Sequence, residues 1–262
     1  MAKNIAIKHE MAVTVFSLEM SSQQLMARLV SGDCGISTKQ MESGKLEPYE
    51  WQNLQSSIER MMEVPIIIDD TPAINIFELR SKARRLKMEK DIQMVIVDYL
   101  QLMSVRNDSK NKGNREQEIS SISRALKALS KELEVPVIAL SQLSRAVETR
   151  GGTKRPQLSD LRESGAIEQD ADMVTFIYRP EYYEVFEDDQ GQSLRGVTEL
   201  IVAKYRHGAT GTIKLKFNAE TTSFEDINYH DDGFDQIEEP QNATGNVLIT
   251  TPPKGNNEDI PF

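Results

Sequence analysis

Short apolar runs alternate with amphipathic helical patterns over the first two thirds of this 262-residue chain. Five runs have the length and the composition of β-strands, at residues 13–17, 65–69, 94–98, 136–141 and 173–178. Such an alternation is typical of a mainly parallel sheet covered by helices. The pattern therefore predicts an α/β fold.

Local start signals place helices between these runs. Ser21 can cap a helix that reaches about residue 31, Pro48 suits the first turn of one that ends near residue 62, and Asn75 can cap another that ends near residue 89. The longest helix is predicted at residues 115–133. Its buried stripe should consist of Ile119, Ile122, Leu126, Leu129 and Leu133.

After residue 195 the pattern changes. Two β runs, at 197–203 and 212–217, are separated by a segment with two glycines, which indicates a hairpin. Beyond about residue 228 the chain is acidic and rich in Asn, Pro, Gly and Thr, and it cannot bury enough apolar surface to order itself. We therefore expect one domain at 1–228 and a flexible, disordered acidic tail at 229–262.

The composition narrows the class of protein. The single cysteine, Cys34, excludes an internal disulfide framework and a Cys cluster for zinc, and the three histidines lie far apart in sequence. No apolar stretch is long enough to span a membrane, and the polar first residues do not resemble a signal peptide. These features predict a soluble protein of the reducing cytoplasm without a membrane partner.

The net charge of −10 is unevenly distributed. Residues 225–262 hold nine of the acidic residues and one lysine, which leaves the rest of the chain at −2. Bases concentrate in two polar stretches, at 104–115 and 145–162, that could meet nucleic-acid phosphates. Solvated loops are the alternative interpretation of both stretches.

Three predicted strands end in polar residues that can carry chemistry. Asp98 follows four apolar residues at the carboxyl edge of a strand, where α/β sheets bind ligands, and it can hold the magnesium ion of a nucleotide. Glu19 lies at a second strand end as a possible base for an attacking water. Gln142 lies at a third, where its amide could sense a γ-phosphate. Each residue alone could merely close a strand.

Four segments resemble, in order and spacing, motifs of the DnaB-type replicative helicase motor, and the resemblance covers residues 2–228. They are FSLEM at 16–20, VDYLQL at 97–102, ALSQLSR at 139–145 and SDLRESGAIEQD at 159–170. The resemblance implies a RecA-like fold and an ATP-dependent 5′-to-3′ DNA helicase. It makes Glu19 the catalytic glutamate, Asp98 the Walker B carboxylate for Mg²⁺, and Gln142 the residue that couples nucleotide state to the DNA loops.

The resemblance also implies contacts beyond the strand ends. Lys204 and Arg206 match the basic pair that reaches into the ATP site of a neighbouring subunit in a hexameric ring. Arg162, Glu163 and Gly165 match the channel loop that follows single-stranded DNA. Neither basic stretch contains an aromatic residue, so binding should depend on backbone charge rather than on stacking. Arg115 matches a run that could serve DNA or an interface. Primase, a helicase loader and other replisome proteins are possible partners.

One departure from the family concerns the phosphate-binding loop. The motif G-x-x-x-x-G-K-[ST] does not occur in the sequence, and residues 3–8 resemble the last turns of the helix that should follow it. A truncated gene, a split helicase or a non-catalytic relative would each explain this. We therefore keep, beside the enzyme, the alternative of a subunit that binds DNA and partners without hydrolysing ATP. A RecA-type recombinase fits the loop at 160–165 less well.

The last seven residues, NNEDIPF, resemble the C-terminal tip with which bacterial single-stranded DNA-binding proteins recruit partners. Phe262 could enter an apolar pocket while its carboxylate meets a base at the rim. The tip would then dock a replication partner or compete with the single-strand-binding protein for its pocket. A solubilising acidic tail is the alternative.

Overall fold

The computed structural model describes residues 1–104 and 115–227, and for residues 162–164 the main chain alone. Most of the first basic stretch and the whole predicted tail, including Phe262, lie outside the described residues. The domain boundary near residue 228 and the role of the tail tip therefore stay predictions.

A four-stranded parallel sheet forms the centre of the fold, with the strand order β2-β1-β3-β4. The strands are β1 (Val13–Ser17), β2 (Ile66–Asp69), β3 (Met94–Asp98) and β4 (Val137–Ala139). The predicted parallel sheet is confirmed, and the bounds of β1 and β3 agree with the sequence pattern residue for residue. Because all four strands run in one direction, their carboxyl ends lie at one edge.

Helices connect the strands and flank the sheet. They are α1 (Ala2–Lys8), α2 (Ser22–Cys34), α3 (Thr38–Ser43), α4 (Pro48–Glu63), α5 (Ile76–Lys90), α6 (Arg115–Leu133), α7 (Ala146–Thr149) and α8 (Gly165–Asp170). Three turns of 3-10 helix lie at Leu100–Leu102, Leu158–Ser164 and Pro180–Tyr183. Within the described part of the chain, none of these helices is long and apolar enough to cross a membrane.

The predicted helix starts are confirmed by their capping contacts. The Ser21 hydroxyl accepts a hydrogen bond from the Gln24 N–H, and the Asn75 side chain accepts from the N–H groups of Phe77 and Glu78. Pro48 occupies the first turn of α4. The Ser21 and Asn75 side chains accept from main-chain N–H groups that have no partner inside the helix. These signals lie within a few residues of the helix start, which explains why a local sequence pattern predicted the starts.

The core lies between the parallel sheet and helices α5 and α6. All five residues of the predicted α6 stripe are buried, and four of them pack with Phe16, Leu79 and Val95 in one apolar cluster. Burying a Leu or Ile side chain contributes about 1.5–3 kcal/mol, so the stripe fixes α6 against the strands that carry Glu19 and Asp98.

A second sheet is antiparallel, with the order β5-β6-β7-β8. Its strands are β5 (Met173–Tyr178), β6 (Val197–Tyr205), β7 (Gly211–Asn218) and β8 (Ser223–Asp226). The predicted hairpin is confirmed as β6 and β7, which pair antiparallel. β6 extends to Tyr205, so Lys204 lies in the strand rather than in the connection.

Placing the run 173–178 in the parallel sheet is wrong, because β5 pairs antiparallel with β6. Its residues alternate between buried and exposed: Val174, Phe176 and Tyr178 are buried, while Met173 and Ile177 are half exposed. This alternation is typical of an antiparallel strand with one covered face. The sequence conceals it because two of the three exposed positions, Met173 and Ile177, are also apolar. β8 was not predicted.

Candidate functional site

Glu19 and Asp98 lie at neighbouring strand ends. Ser17 is opposite Asp98 in the β1–β3 register, and the Leu18 N–H donates a hydrogen bond of 2.7 Å to the Asp98 carbonyl oxygen. The Ser17 hydroxyl donates to the carbonyl oxygen of Met20 at 2.7 Å and accepts from its N–H at 3.3 Å. These contacts close a tight turn that places Glu19 next to the end of β3, where Asp98 lies. The Glu19 side chain is exposed.

The surroundings of Asp98 disfavour its negative charge. Burial raises the pKa of the Asp98 carboxyl, the negative charge of Glu19 raises it further, and Arg28 on α2 opposes both. Arg28 is a charged neighbour of this site that the sequence interpretation missed, since it stands within a helix and outside the strand ends. A bound cation would relieve the cost of holding two carboxylates close together.

The ligands present suit a magnesium ion that arrives with a nucleotide. In the part of the chain that the structure describes, no group of three or more His, Cys, Asp or Glu side chains could hold a metal by itself. Mg²⁺ in nucleotide sites commonly takes one or two carboxylates and completes its shell with phosphate oxygens and water. The Asp98 carboxylate is thus of the ligand type that Mg²⁺ takes in nucleotide sites.

Gln142 lies beyond the end of β4, next to the Asp98 strand. Main-chain hydrogen bonds join β3 to this segment as far as Leu140, and the Gln142 side chain is exposed. Since β1, β3 and β4 are adjacent in the sheet, Glu19, Asp98 and Gln142 come to the same edge. Gln101, which bonds the main chain of Gln142, was missed as a site residue although it stands inside one of the four motifs.

Lys204 and Arg206 contact the end of α8 on their own chain. The Lys204 ammonium donates to the Glu168 carbonyl oxygen, and Arg206 donates to the Gln169 carbonyl oxygen at 3.1 Å. Arg206 also forms an ion pair with Asp172, which pairs with Lys127 of α6 as well. Within the described residues, these hydrogen bonds and ion pairs of the two basic side chains therefore run to α8 and Asp172.

The residues of the predicted DNA loop lie in and directly after a 3-10 turn that is anchored by internal contacts. Arg162 and Glu163 lie in the 3-10 turn Leu158–Ser164 with their side chains outside the described part, and Gly165 begins α8 at the surface. Asp160, in the same turn, is buried, accepts from the Gln157 N–H at 2.8 Å and pairs with Arg150. Asp160 thus anchors the turn rather than facing solvent.

Several bases of the stretch 145–162 serve internal contacts. Arg150 pairs with Asp160, and Lys154 lies over the Tyr183 ring. Arg155 forms an ion pair with Glu199 at 2.9 Å and donates a hydrogen bond to the Thr212 hydroxyl at 2.8 Å. The expectation of a phosphate-binding patch therefore narrows to the remaining bases of the stretch. They are Arg145, which is exposed, and Arg162.

A parallel sheet flanked by helices, with polar residues at its carboxyl edge and a separate antiparallel sheet, places the chain in the RecA-like α/β class. The family comparison makes the assignment specific. The model of the DnaB-like helicase C-terminal domain matches residues 1–226, and the chain belongs to this family.

Individual relatives agree with the family. The chain is similar to the replicative DNA helicase DnaB of Geobacillus stearothermophilus (45% identity over 242 residues, 92% of this chain and 51% of the relative). It is also similar to the replicative DNA helicase DnaC of Bacillus subtilis strain 168 (45% identity, 85% of this chain and 47% of the relative). The chain thus spans about half the length of these relatives.

Two solved structures share the fold. One of them, an ATPase domain, superposes with a TM-score of 0.78 at 37% identity, over 87% of this chain and 78% of that chain. A DnaB-like replicative helicase, described with its interactions with primase, gives the same score and identity over 87% of this chain and 53% of its own. The expected RecA-like α/β fold is confirmed by these neighbours.

Proposed function

We propose that this chain supplies the motor part of a replicative DNA helicase, which couples the hydrolysis of magnesium-bound ATP to movement on single-stranded DNA and to duplex unwinding. The observation that carries the proposal is the convergence of Glu19, Asp98 and Gln142 at one edge of the parallel sheet. The 5′-to-3′ direction is taken from the family resemblance.

The three residues divide the chemistry at this edge. Asp98 would hold Mg²⁺, and Glu19 orients the attacking water and accepts its proton. Gln142 offers an amide to the γ-phosphate, so that its position changes when the phosphate leaves. A magnesium ion held there would supply positive charge that stabilises the phosphoryl group during transfer.

A neighbouring subunit completes the site. Lys204 and Arg206 reach the nucleotide held by the adjacent copy, where an arginine stabilises charge on the transferring phosphoryl group. Such a reaction needs at least two subunits, and the family resemblance supports a hexameric ring. Arg162, with the main chain around Gly165, binds the DNA backbone in its channel.

Partner proteins follow from the relatives. One structural neighbour is described with its interactions with primase, and this supports primase as a partner of the complete protein. A helicase loader and other replisome proteins belong to the same proposal.

A second function is favoured by a specific feature of the sequence. The motif G-x-x-x-x-G-K-[ST] does not occur in the chain. A chain without it lacks the main-chain N–H groups and the lysine that bind the β- and γ-phosphates. The alternative is a subunit that binds DNA and neighbouring subunits but does not hydrolyse ATP itself.

ATP turnover by two forms of the protein tests the proposal. One form is the chain alone. The other form, which we call the extended chain, carries at its N terminus the segment of the Geobacillus relative that precedes the matched region. We expect no hydrolysis above background from the chain alone, and Mg²⁺-dependent hydrolysis from the extended chain that is lost on Glu19→Gln. Stable rings of the extended chain that hydrolyse nothing would favour the second function.

A further inference from the structure

The Gln101 side-chain amide forms hydrogen bonds with both the N–H and the carbonyl oxygen of Gln142. Its Nε2 donates to the Gln142 carbonyl oxygen at 3.2 Å and to the Ser141 hydroxyl at 2.9 Å, and its Oε1 accepts from the Gln142 N–H at 3.2 Å. A primary amide bonded to both polar groups of one residue reproduces what a neighbouring strand would provide.

This contact continues the β3–β4 ladder past its last main-chain bonds. The Leu140 N–H donates to Val97 at 2.9 Å, and the Leu140 carbonyl oxygen accepts from the Leu100 N–H at 3.0 Å. Two residues further along, the Gln101 amide takes over as the partner of Gln142. The end of β4 is therefore fixed to the strand that carries Asp98.

Gln101 is itself held in place by Arg115, the first residue of α6. One guanidinium nitrogen of Arg115 donates to the carbonyl oxygens of Gln101 and Met103, at 2.7 and 3.1 Å, and another bonds Glu118. Met103 and the preceding Leu100 are almost fully buried. Arg115, expected to serve DNA or an interface, has a structural contact in this chain. The turn that carries Gln101 is thus anchored to α6.

The segment after Gln142 leads to the base of the DNA loop. The Ser144 N–H donates to the Asp160 carbonyl oxygen at 3.1 Å, and Leu143 packs against the cluster that contains Leu161. A displacement of the Gln142 main chain would therefore reach residues 158–164 through one hydrogen bond and one apolar contact. Gln101 bonds the first residue of this chain of contacts, Gln142, at the carboxyl edge of the parallel sheet.

From this geometry we infer that Gln101 is a positioning residue, which fixes the Gln142 main chain so that the Gln142 amide meets the γ-phosphate and transmits its loss. The inference rests on the proposed function of the sheet edge. Gln101 acts through Gln142 and needs no contact with the nucleotide. Small errors in position are costly at such a site, since a misplacement of about 1 Å can cost about 100-fold in rate.

The test is a double-mutant cycle on ATP turnover by the extended chain, with kcat and KM measured in the presence and absence of single-stranded DNA. Gln101→Met keeps the side-chain length and removes both hydrogen-bonding atoms. Gln93→Met is the matched control, because the Gln93 amide also bonds a main-chain carbonyl, that of Asp91, but at the opposite end of β3.

We expect Gln101→Met to lower kcat about 10-fold or more, with KM for ATP changed less than about twofold, and Gln93→Met to leave both unchanged. Added to Gln142→Ala, Gln101→Met should cause no further loss, because its effect passes through Gln142. A merely structural role would instead give losses that multiply in the double variant, and this result would overturn the inference.

Amide hydrogen exchange on the unextended chain gives an independent readout. The Gln142 N–H should exchange more slowly in the natural protein than in Gln101→Met, since its acceptor is the Gln101 amide oxygen. Equal exchange rates would also overturn the inference. If Gln142→Ala leaves the turnover of the extended chain unchanged, the proposed role of Gln142 fails and the inference fails with it. An effect of Gln142→Ala without one of Gln101→Met would contradict the inference alone.

Discussion

Arg206 and Asp172 form an ion pair within one chain, with 3.2 Å between Nη1 and Oδ1. In addition, the main-chain N–H of Arg206 donates a hydrogen bond of 2.7 Å to the Asp172 carbonyl oxygen. Both side chains are about half exposed, and Asp172 also binds Lys127. An arginine that acts on a neighbour's nucleotide must exchange this pair for the phosphate. Because a surface pair is weak, this exchange costs little.

The strength of the pair can be measured by urea unfolding of Asp172→Asn, Arg206→Ala and the double variant. We expect a coupling free energy of about 0.2–1 kcal/mol at low salt, which decreases at high salt as the charges are screened. Lys127→Ala is a suitable control, since it removes the other partner of Asp172 and leaves Arg206 in place. A coupling of zero at low salt would contradict the ion pair.

Arg206→Ala in the extended chain should abolish ATP hydrolysis and leave nucleotide binding largely intact, because its proposed target is the phosphoryl group on the neighbouring subunit. Rings mixed from Arg206→Ala and Glu19→Gln subunits should recover part of the activity, since some interfaces then combine an intact Glu19 with an intact Arg206. The absence of recovery in stably assembled mixed rings would count against action in trans.

Arg162→Ala should weaken the binding of the extended chain to single-stranded DNA and have much less effect on hydrolysis without DNA. Loss of one phosphate contact should lower the slope of log affinity against log salt by about 0.7. Arg155→Ala is the matched control from the same basic stretch, because Arg155 forms an ion pair with Glu199 and a hydrogen bond with Thr212. Fluorescence anisotropy across a salt series measures both slopes, and equal slopes would contradict the assignment of Arg162.

Glu132 on α6 should make the stability depend on pH. Hydrogen bonds from Arg84 and Arg80 of α5 lower the pKa of its carboxyl from 4.5 to about 2. The charged form is thus favoured in the folded state, and its contribution is present above about pH 4.5 and lost as the pH falls towards 2.

Glu132→Gln should therefore unfold at a lower urea concentration than the natural chain at neutral pH, and the difference should shrink as the pH falls through this range. Glu89→Gln, at an exposed position on α5, serves as the control and should show no such change. A difference that stays constant between neutral and acid pH would show that the ion pairs with Arg80 and Arg84 contribute nothing.

A separate prediction concerns the tail tip, residues 256–262, which lies outside the described residues. A labelled peptide of residues 256–262 should bind proteins that recognise the tip of single-stranded DNA-binding proteins, weakly and with strong dependence on salt, because a short peptide orders on binding over a small area. Fluorescence anisotropy with and without Phe262 measures this. Equal binding of the two peptides, or no binding at low salt, would leave the tail as a solubilising segment.

The sequence by itself was enough for the elements whose signals are local. Capping by Ser21 and Asn75 and the periodic stripe of α6 depend on neighbours within a few residues, and the structure confirms them. The placement of Glu19, Asp98 and Gln142 at one edge also followed from the sequence, because the carboxyl ends of parallel strands share an edge of the sheet.

Only the tertiary structure decided which distant segments meet. The apolar run of β5 gave no indication that its partner is the antiparallel β6, because the exposed residues Met173 and Ile177 are also apolar and hide the alternation of a strand with one covered face. The hydrogen bonds from Gln101 to Gln142 and the ion pair from Arg206 to Asp172 join residues 41 and 34 positions apart. No local periodicity or capping signal encodes such pairs, because they form only when packing of the whole chain brings the two side chains within bonding distance.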